Sequence, residues 1–282
     1  MCLTCGFAYL ESWSDSLAEA DALYDYYADL DPADSAARHS PENRVRQQEL
    51  LDGLKRRVRG RRLLDVGCGD GQLLKTAEEG GWEARGIDLS KPAVELSVAH
   101  GLRASKTDFF STELDGDRFD AIVMSELIEH VPSPQRFLQR AESLLADHGV
   151  LYLTTPNFNS LSRRALGPDW SVMHREHIGY FDRASLRKMA SDYTGLREIR
   201  IETTNITPST LVAWLRGRTA KTRNGSAASA HRAARQGVDQ RLRSIVLKSR
   251  ILRASKASIN RAVSLAGIGD TLVAWYQKQP TP

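Results

Sequence analysis

The sequence predicts an α/β protein with a doubly wound, mostly parallel sheet. Short apolar runs alternate with helix-like segments from residue 61 onward, and the first run leads directly into a glycine-rich turn. The apolar runs predict strands at 62–67, 83–88, 119–124, 149–155 and 196–204, with a weaker strand at 102–105 and a last one at 270–276. The segments between them predict helices at 41–58, 71–80, 91–100, 134–146 and 183–192.

Length and composition are typical of a globular protein with one large domain and an appendage, or with two modest domains. The 282 residues are 41% hydrophobic and 26% charged, which excludes wholesale disorder. No run reaches the length of a transmembrane helix, and the amino terminus lacks the basic and apolar segments of a secretory signal. Three cysteines do not make a disulfide framework. We therefore expect a cytoplasmic protein.

Charge is unevenly distributed along the chain. Residues 208–266 contain 13 Lys or Arg and one acid, Asp239, which gives a formal charge of +12, whereas the remaining 26 basic and 34 acidic residues give −8. Because this segment is also helix-prone, it predicts a basic helical insertion before the last strand. The predicted organisation is an N-terminal segment at 1–40, a core at 41–207, the insertion at 208–266, and the last strand with a tail at 267–282.

The first strand, Arg62–Val66, ends in a turn that contains Gly67, Gly69 and Gly71 and is followed by a helix. Glycine permits the dihedral angles of such a turn and lets backbone approach a ligand closely, so the turn predicts a nucleotide-like ligand at the helix start. The dinucleotide fingerprint requires Gly-x-Gly-x-x-Gly, and the third glycine comes one residue early for it. Asp65, just before the turn, either contacts the ligand or caps the helix.

Acidic residues follow the next two strands. Asp88 ends the second strand, where an acid can accept hydrogen bonds from both hydroxyls of a ribose. Asp108 follows the weak third strand and can accept from an adenine amino group, with Phe109 or Phe110 against the ring. The alternatives are a solvated loop acid for Asp108 and core packing for the two phenylalanines.

Taken together, these motifs resemble the class I S-adenosylmethionine-dependent methyltransferases. Asp65-Val-Gly-Cys-Gly-Asp-Gly71 is similar to their first motif, Gly86-Ile-Asp88 to their second, and Thr107-Asp-Phe-Phe110 to their adenine-contacting segment. Glu126-Leu-Ile-Glu-His-Val-Pro132 is similar to the ubiquinone-biosynthesis O-methyltransferases and their relatives, which include sugar and natural-product methyltransferases. The resemblance covers about residues 45–205 and the last strand.

The resemblance implies S-adenosyl-L-methionine as cofactor and a seven-stranded Rossmann-like methyltransferase sheet with its last strand antiparallel. It places Asp65 near the methionyl amine of the cofactor. The cofactor-binding residues that it implies are Asp65, Gly67, Gly69, Gly71, Asp88, Asp108, Phe109 and Ser125.

Two histidines are candidates for the base that methyl transfer to a hydroxyl or an acidic carbon requires. His130 follows the fourth strand at the carboxyl edge of the sheet, where ligands bind in such folds. His177 lies in a segment that, in similar proteins, covers the acceptor pocket, and we expect Asn157 to line the same pocket. The alternatives are a packing role for His130 and a role for His177 in tying this segment to the core.

Metal is a further alternative on the acceptor side. The resemblance allows a divalent metal at Glu126, Glu129 and His130, and His174 and His177, three residues apart, are also possible ligands. We predict a base and no metal.

Two features lie outside the core. Cys2 and Cys5 resemble the second half of a zinc-binding head, but a structural zinc site needs four ligands, so we expect no zinc. The basic insertion is predicted to contact an anionic membrane, which would place the protein peripherally at the inner face of the membrane, or an anionic acceptor. The alternative is a solvated hairpin used in homodimerisation. Nucleic acid is disfavoured because no recognition motif accompanies the charge.

The predicted function is methyl transfer from S-adenosylmethionine to a small-molecule, sugar, lipid-linked glycan or phenolic acceptor. The alternative is a non-catalytic S-adenosylmethionine-binding module that its basic insertion tethers to a membrane or an anionic partner.

Overall fold

The computed structural model describes residues 6–9, 40–170, 172–173, 177–205 and 261–280. Its strands are β1 (Ala8–Tyr9), β2 (Arg62–Val66), β3 (Glu83–Asp88), β4 (Ala104–Lys106), β5 (Phe119–Ser125), β6 (Leu145–Pro156), β7 (Gly179–Tyr180), β8 (Arg197–Thr204) and β9 (Thr271–Gln277). Its helices are α1 (Pro41–Lys55), α2 (Gln72–Glu79), α3 (Lys91–Ala99), α4 (Pro134–Leu144), α5 (Leu161–Leu166) and α6 (Arg183–Tyr193).

Seven strands form one sheet in the order β4-β3-β2-β5-β6-β9-β8. The pairs from β4 to β6 are parallel, whereas β9 runs antiparallel to both of its neighbours, β6 and β8. This arrangement confirms the predicted doubly wound sheet and the antiparallel place of the last strand.

Both faces of the central strands are buried, as the continuous apolar runs predict. Successive side chains alternate between the faces, so Leu63 packs into the core on one side of the sheet and Leu64 into the core on the other. Ala121 and Val123 join the core of Leu63, and Ile122 joins that of Leu64. A sheet covered on both faces leaves its strand ends as the place where a ligand can enter.

The structure also contains a two-stranded sheet that the sequence does not predict. Ala8 pairs with Tyr180 and Tyr9 with Gly179 in the antiparallel pair β1–β7, and the Phe7 ring lies 4.7 Å from the ring of Phe181. Part of the predicted N-terminal segment therefore packs on the segment that follows His177. Short strands of two residues carry too little periodicity to be predicted from sequence.

Asn157 was predicted to line the acceptor pocket, and this prediction is wrong. The side chain is fully buried, and its amide nitrogen donates to the carbonyls of Gly267 and Gly269 at 3.1 and 2.7 Å. Its oxygen accepts from the backbone N–H of Asn159. Asn157 therefore ties the end of β6 to the loop before β9.

Several predictions concern residues outside the described ranges. They involve Cys2, Cys5, His174 and residues 208–260 of the predicted basic insertion. The last six residues of that insertion, 261–266, are described and are helical. Within the described ranges, every helix is too short or too polar to span a bilayer.

Candidate functional site

A cavity of about 1090 Å³ opens at the carboxyl ends of β2, β3 and β5. Most of the residues predicted to bind a cofactor line it, and His130 does so as well. These residues are Asp65, Gly67, Gly69, Asp88, Asp108, Phe109 and Ser125. Gly71 is not among the lining residues. A Cβ at this position would lie 2.6 Å from Leu102 and 2.7 Å from Ser97, so glycine permits close packing at the start of α2. The fold thus brings residues from four separate motifs to one cavity.

The glycine turn adopts the left-handed backbone conformation that its sequence predicts. The φ angles of Gly67, Gly69 and Gly71 are +77°, +53° and +80°, a region that side chains rarely tolerate. The N–H groups of Gly67 and Cys68 donate to the Ile87 carbonyl at 2.9 and 3.1 Å, which holds the turn against the end of β3.

Asp88 connects the glycine turn to the start of α3. One carboxylate oxygen accepts from the Gly69 N–H at 2.8 Å, and the other accepts from the Ser90 N–H, also at 2.8 Å. A carboxylate oxygen has two lone pairs, so each retains capacity for a ligand hydroxyl. This geometry is compatible with the predicted ribose role, which stays a prediction.

We expect Asp88→Ala to weaken the binding of S-adenosylmethionine by at least about 100-fold, because two charge-assisted hydrogen bonds are worth about 3 kcal/mol or more. Isothermal titration calorimetry measures this change. Asp192→Asn, which alters an exposed acid of α6, is the control and should bind normally. An unchanged affinity in Asp88→Ala would refute the ribose role.

Asp65 is a buried acid at the wall of the cavity. Only 4% of its surface is exposed, and burial, with a smaller effect of the Asp88 carboxylate, raises its pKa to about 7. A cationic ligand beside this buried carboxyl group would stabilise its ionised form and lower its pKa.

The segment Asp108–Phe110 is held in place by a residue of α4. Arg140 donates to the carbonyls of Phe109 and Ser111 at 3.1 and 2.9 Å and pairs with Asp115 at 2.8 Å. Phe109 is buried in the core, whereas Phe110 is 38% exposed, which makes the Phe110 ring more accessible to an adenine. Sequence analysis did not identify Arg140, since its contacts depend on packing between distant segments.

We expect Arg140→Gln to weaken S-adenosylmethionine binding by about tenfold, because the segment that is predicted to contact the adenine loses two hydrogen bonds and an ion pair. Adenosine should lose affinity in parallel in a competition assay. Arg187→Gln breaks a comparable surface ion pair, with Glu198, and should leave both affinities unchanged. Equal affinities in wild type and Arg140→Gln would contradict this positioning role.

The acceptor side of the cavity begins where β5 ends. Glu126 has a φ of 51°, an unusual value for a residue other than glycine, and its backbone N–H donates to the Thr154 carbonyl at 3.0 Å. Its side chain is exposed to the cavity, and desolvation by the surrounding protein raises its pKa. Strained backbone of this kind is concentrated at functional sites.

His130 lies on a short 3-10 turn, Ile128–His130, that follows β5. Its ring is 4.6 Å from the ring of His177 in an edge-to-face arrangement, and its Nε2 atom is 4.0 Å from a Glu129 carboxylate oxygen. The N–H of Ile178 donates to the Glu129 carbonyl at 2.9 Å and so fixes the segment of His177 to this turn. Among the described residues, His130 lines the cavity, whereas His177 does not line it and packs against the His130 ring.

Glu129, His130 and His177 form a compact group of possible metal ligands, each with one ligand atom within 4.8 Å of the others. The predicted trio contained Glu126, and the structure brings His177 to Glu129 and His130 instead. Burial, followed by the Glu126 carboxylate, raises the pKa of Glu129 well above its ordinary value. A carboxylate and two imidazoles are a donor set that suits zinc and similar divalent ions.

The cavity also extends over residues that the sequence analysis missed. They come from α1 and from one face of β6, β8 and β9, and they include Arg46, Tyr152, Arg200 and Glu202. The signal that could have identified them is the alternation in Arg200-Ile-Glu-Thr-Thr204, which places Arg200, Glu202 and Thr204 on one face of the strand.

Comparison with known proteins agrees with this geometry. A sequence model described as "Methyltransferase domain" matches residues 38–197, more than half of the chain. The ubiquinone biosynthesis O-methyltransferase of Bordetella avium (strain 197N) is 32% identical over 122 residues, which cover 40% of this chain and 50% of that protein. The chain therefore spans about half the length of this curated relative.

Solved structures share the fold. An S-adenosylmethionine-dependent methyltransferase from Archaeoglobus fulgidus superposes with a TM-score of 0.52 at 18% identity, covering 82% of this chain and 94% of that chain. The plantazolicin methyltransferase BpumL, solved in complex with SAH, superposes with a TM-score of 0.55 at 15% identity, covering 93% and 97%. Four cofactor motifs in one cavity, the sheet order and the family match lead to one conclusion: the chain belongs to the methyltransferase-domain family of class I S-adenosylmethionine-dependent methyltransferases.

Proposed function

We propose that this protein transfers a methyl group from S-adenosylmethionine to an oxygen or an acidic carbon of a small-molecule acceptor. The observation that carries the proposal is His130, which lines the same cavity as the cofactor motifs and is backed by Glu129 and His177. The cavity volume of about 1090 Å³ exceeds that of a typical drug-sized site, so it has room for an acceptor beside the cofactor.

The reaction is an in-line displacement. The acceptor atom forms a bond to the methyl carbon, the carbon–sulfur bond breaks, and sulfur keeps the electron pair, which yields S-adenosylhomocysteine. Alignment of the two reactants supplies roughly 7–11 kcal/mol of the barrier reduction. His130 takes the acceptor proton, and the Glu129 carboxyl 4.0 Å away favours the resulting imidazolium when it is ionised.

The metal-ligand group supports a second possibility on the acceptor side. A divalent cation held by Glu129, His130 and His177 would orient an acceptor oxygen and lower its pKa. Turnover after treatment with a chelator, followed by re-addition of zinc or magnesium, distinguishes the two. Loss and recovery of activity favour the metal, and unchanged activity favours His130 as the base.

The main test has two stages. Calorimetry with S-adenosylmethionine measures donor binding, and no binding at millimolar cofactor would refute the proposal. Formation of S-adenosylhomocysteine with fractionated cell extract then measures turnover. If the cofactor binds and no fraction supports turnover, the non-catalytic binding module becomes the better account.

The contacts of the basic segment are a separate proposal, which rests on charge. Its +12 formal charge would favour an anionic membrane surface, consistent with a peripheral place on the inner face of the membrane, or an anionic acceptor. Flotation with vesicles that contain phosphatidylserine tests the first. A variant lacking residues 208–266 should remain unbound, and continued flotation of this variant would eliminate the segment as the anchor. Sedimentation analysis of the same two proteins tests the homodimer.

A further inference from the structure

On one face of the outer strands, charged and hydroxyl side chains alternate with Trp275, Val273 and Pro156. The strand register places these side chains in three rows across β6, β9 and β8. The rows are Tyr152–Trp275–Arg200, Thr154–Val273–Glu202 and Pro156–Thr271–Thr204. On the opposite face, the corresponding row of Leu153, Ala274 and Ile201 belongs to the buried core.

This polar face belongs to the same cavity as the cofactor motifs. We call it the sheet-face lobe and define it by Tyr152, Thr154, Arg200, Glu202, Thr204 and Thr271, all of which line the cavity. Arg46 and Glu49 of α1 line the lobe from above, and Arg46 donates to the Asn205 side chain at 3.3 Å. The cofactor motifs lie on other strands, so a bound cofactor would leave this lobe free for a second ligand.

The lobe meets the acceptor side at Glu126. Glu126 lines the cavity, and its N–H also lies 3.2 Å from the Thr154 hydroxyl oxygen, a member of the second row. A molecule that reaches from the lobe past Glu126 arrives beside His130. The lobe is therefore placed to hold the part of an acceptor that is not methylated.

The chemistry of the lobe selects among ligand classes. Guanidinium groups, carboxylates and hydroxyls alternate over the surface, with Trp275 and Val273 between them, and the Arg200–Glu202 pair at 2.9 Å leaves little net charge. A wholly apolar tail would contact Trp275 and Val273 but would cover the charged groups without replacing their bonds to water, which costs about 1–3 kcal/mol for each group. A simple anion would gain from Arg46 and Arg200 but would meet Glu49 and Glu202.

We infer that the sheet-face lobe binds a polyhydroxylated, glycosyl portion of the acceptor. Neighbouring hydroxyls of a sugar both donate and accept, which matches the interleaved carboxylates, guanidinium groups and hydroxyls of the lobe. Hydrogen bonds to charged groups are the stronger kind, so Arg200 and Glu202 should contribute most. The identification of this ligand as a methyl acceptor rests on the proposed function, but binding to the lobe can be measured without turnover.

Saturation-transfer NMR on protein loaded with S-adenosylhomocysteine tests the inference. The probes are methyl hexosides, methyl pentosides and nucleoside-diphosphate hexoses, with catechol and dihydroxybenzoate as phenolic comparisons. We expect glycosyl compounds to bind and Glu202→Gln to weaken them by about tenfold. Glu198→Gln is the matched control, because Glu198 lies on the same strand, pairs with Arg187 at 2.7 Å and does not line the cavity. Affinity for S-adenosylhomocysteine should be equal in all three proteins.

A second variant guards against misfolding. Thr271→Val removes one lobe hydroxyl and keeps the shape of the side chain, so the fold should survive and glycosyl binding should fall. No glycosyl binding across the panel, or binding that both variants leave unchanged, would overturn the inference. Failure to bind S-adenosylmethionine would instead refute the proposed function. In that case, binding of glycosyl compounds to the cofactor-free protein would still show whether the lobe recognises them. Methylation of phenols alone would confirm the function and overturn the glycosyl assignment.

Discussion

Asp65→Asn should abolish S-adenosylmethionine binding while making the cofactor-free protein more stable at about pH 8. The wild-type carboxyl is buried with a pKa of about 7, compared with about 3.9 in an unfolded chain. The folded state therefore holds the proton more tightly, so the stability that this group contributes is fully present below about pH 4 and is lost as the pH rises through 7. The difference corresponds to about 4 kcal/mol, to order of magnitude.

Asparagine mimics the protonated acid and removes this loss. Thermal denaturation of the cofactor-free proteins between about pH 5 and pH 8 should give a falling midpoint for wild type and a nearly constant one for Asp65→Asn. Asp120→Asn makes the same change at the beginning of β5, and its midpoint should follow the wild-type curve. Parallel curves for wild type and Asp65→Asn would contradict the shifted pKa.

Cofactor binding should show the opposite pH dependence. If the methionyl ammonium binds the ionised carboxylate, binding below pH 7 must first release a proton, and affinity should rise about fivefold from pH 6 to pH 7. Calorimetry in two buffers of different ionisation enthalpy reports that proton directly. An affinity that does not change over this range would place the ammonium elsewhere.

His130→Ala should lower turnover by about two to four orders of magnitude with little change in cofactor affinity, because a general base contributes about that factor in the transition state. The experiment uses the acceptor found by extract fractionation and follows S-adenosylhomocysteine. Added imidazole should restore part of the activity in the space that the truncation leaves. His100→Gln changes an exposed histidine at the end of α3 and should be as active as wild type.

His177→Gln separates a positioning role from a catalytic one. Since His177 packs against the His130 ring and does not line the cavity, the variant should lower kcat with a smaller effect on KM, and imidazole should not rescue it. Full activity of His130→Ala would refute the base assignment, and it would also count against a metal held by Glu129, His130 and His177.

Much of the fold was predictable because its signals are local. The apolar run Arg62–Val66, the glycines after it and the acid that ends β3 each lie within a few residues and have a direct physical meaning. Arg140, by contrast, becomes meaningful only when α4 packs beside Phe109, and His177 only when its segment binds Glu129. Such contacts join residues dozens of positions apart, and spacing along one sequence does not encode them.

The sheet-face lobe illustrates the same limit at the level of strands. Arg200 and Glu202 could be assigned to one face of a strand by their period of two. Which residues stand beside them depends on the register with β9, and that register is set by a strand that comes almost seventy residues later. The Asn157 prediction failed for a related reason, since the carbonyls that bind it precede β9.

The position of β9 also has a consequence for biosynthesis. β8 ends at Thr204, but among the described strands it pairs only with β9, which is completed at Gln277. During synthesis, β2 to β6 can assemble as soon as they emerge, whereas β8 must wait until the chain has passed the whole intervening segment. Until then, β6 presents an open edge rich in Leu, Tyr and Thr, the kind of edge that other chains can pair with. Nascent or truncated forms that lack residues 271–277 should therefore depend on chaperones and aggregate readily.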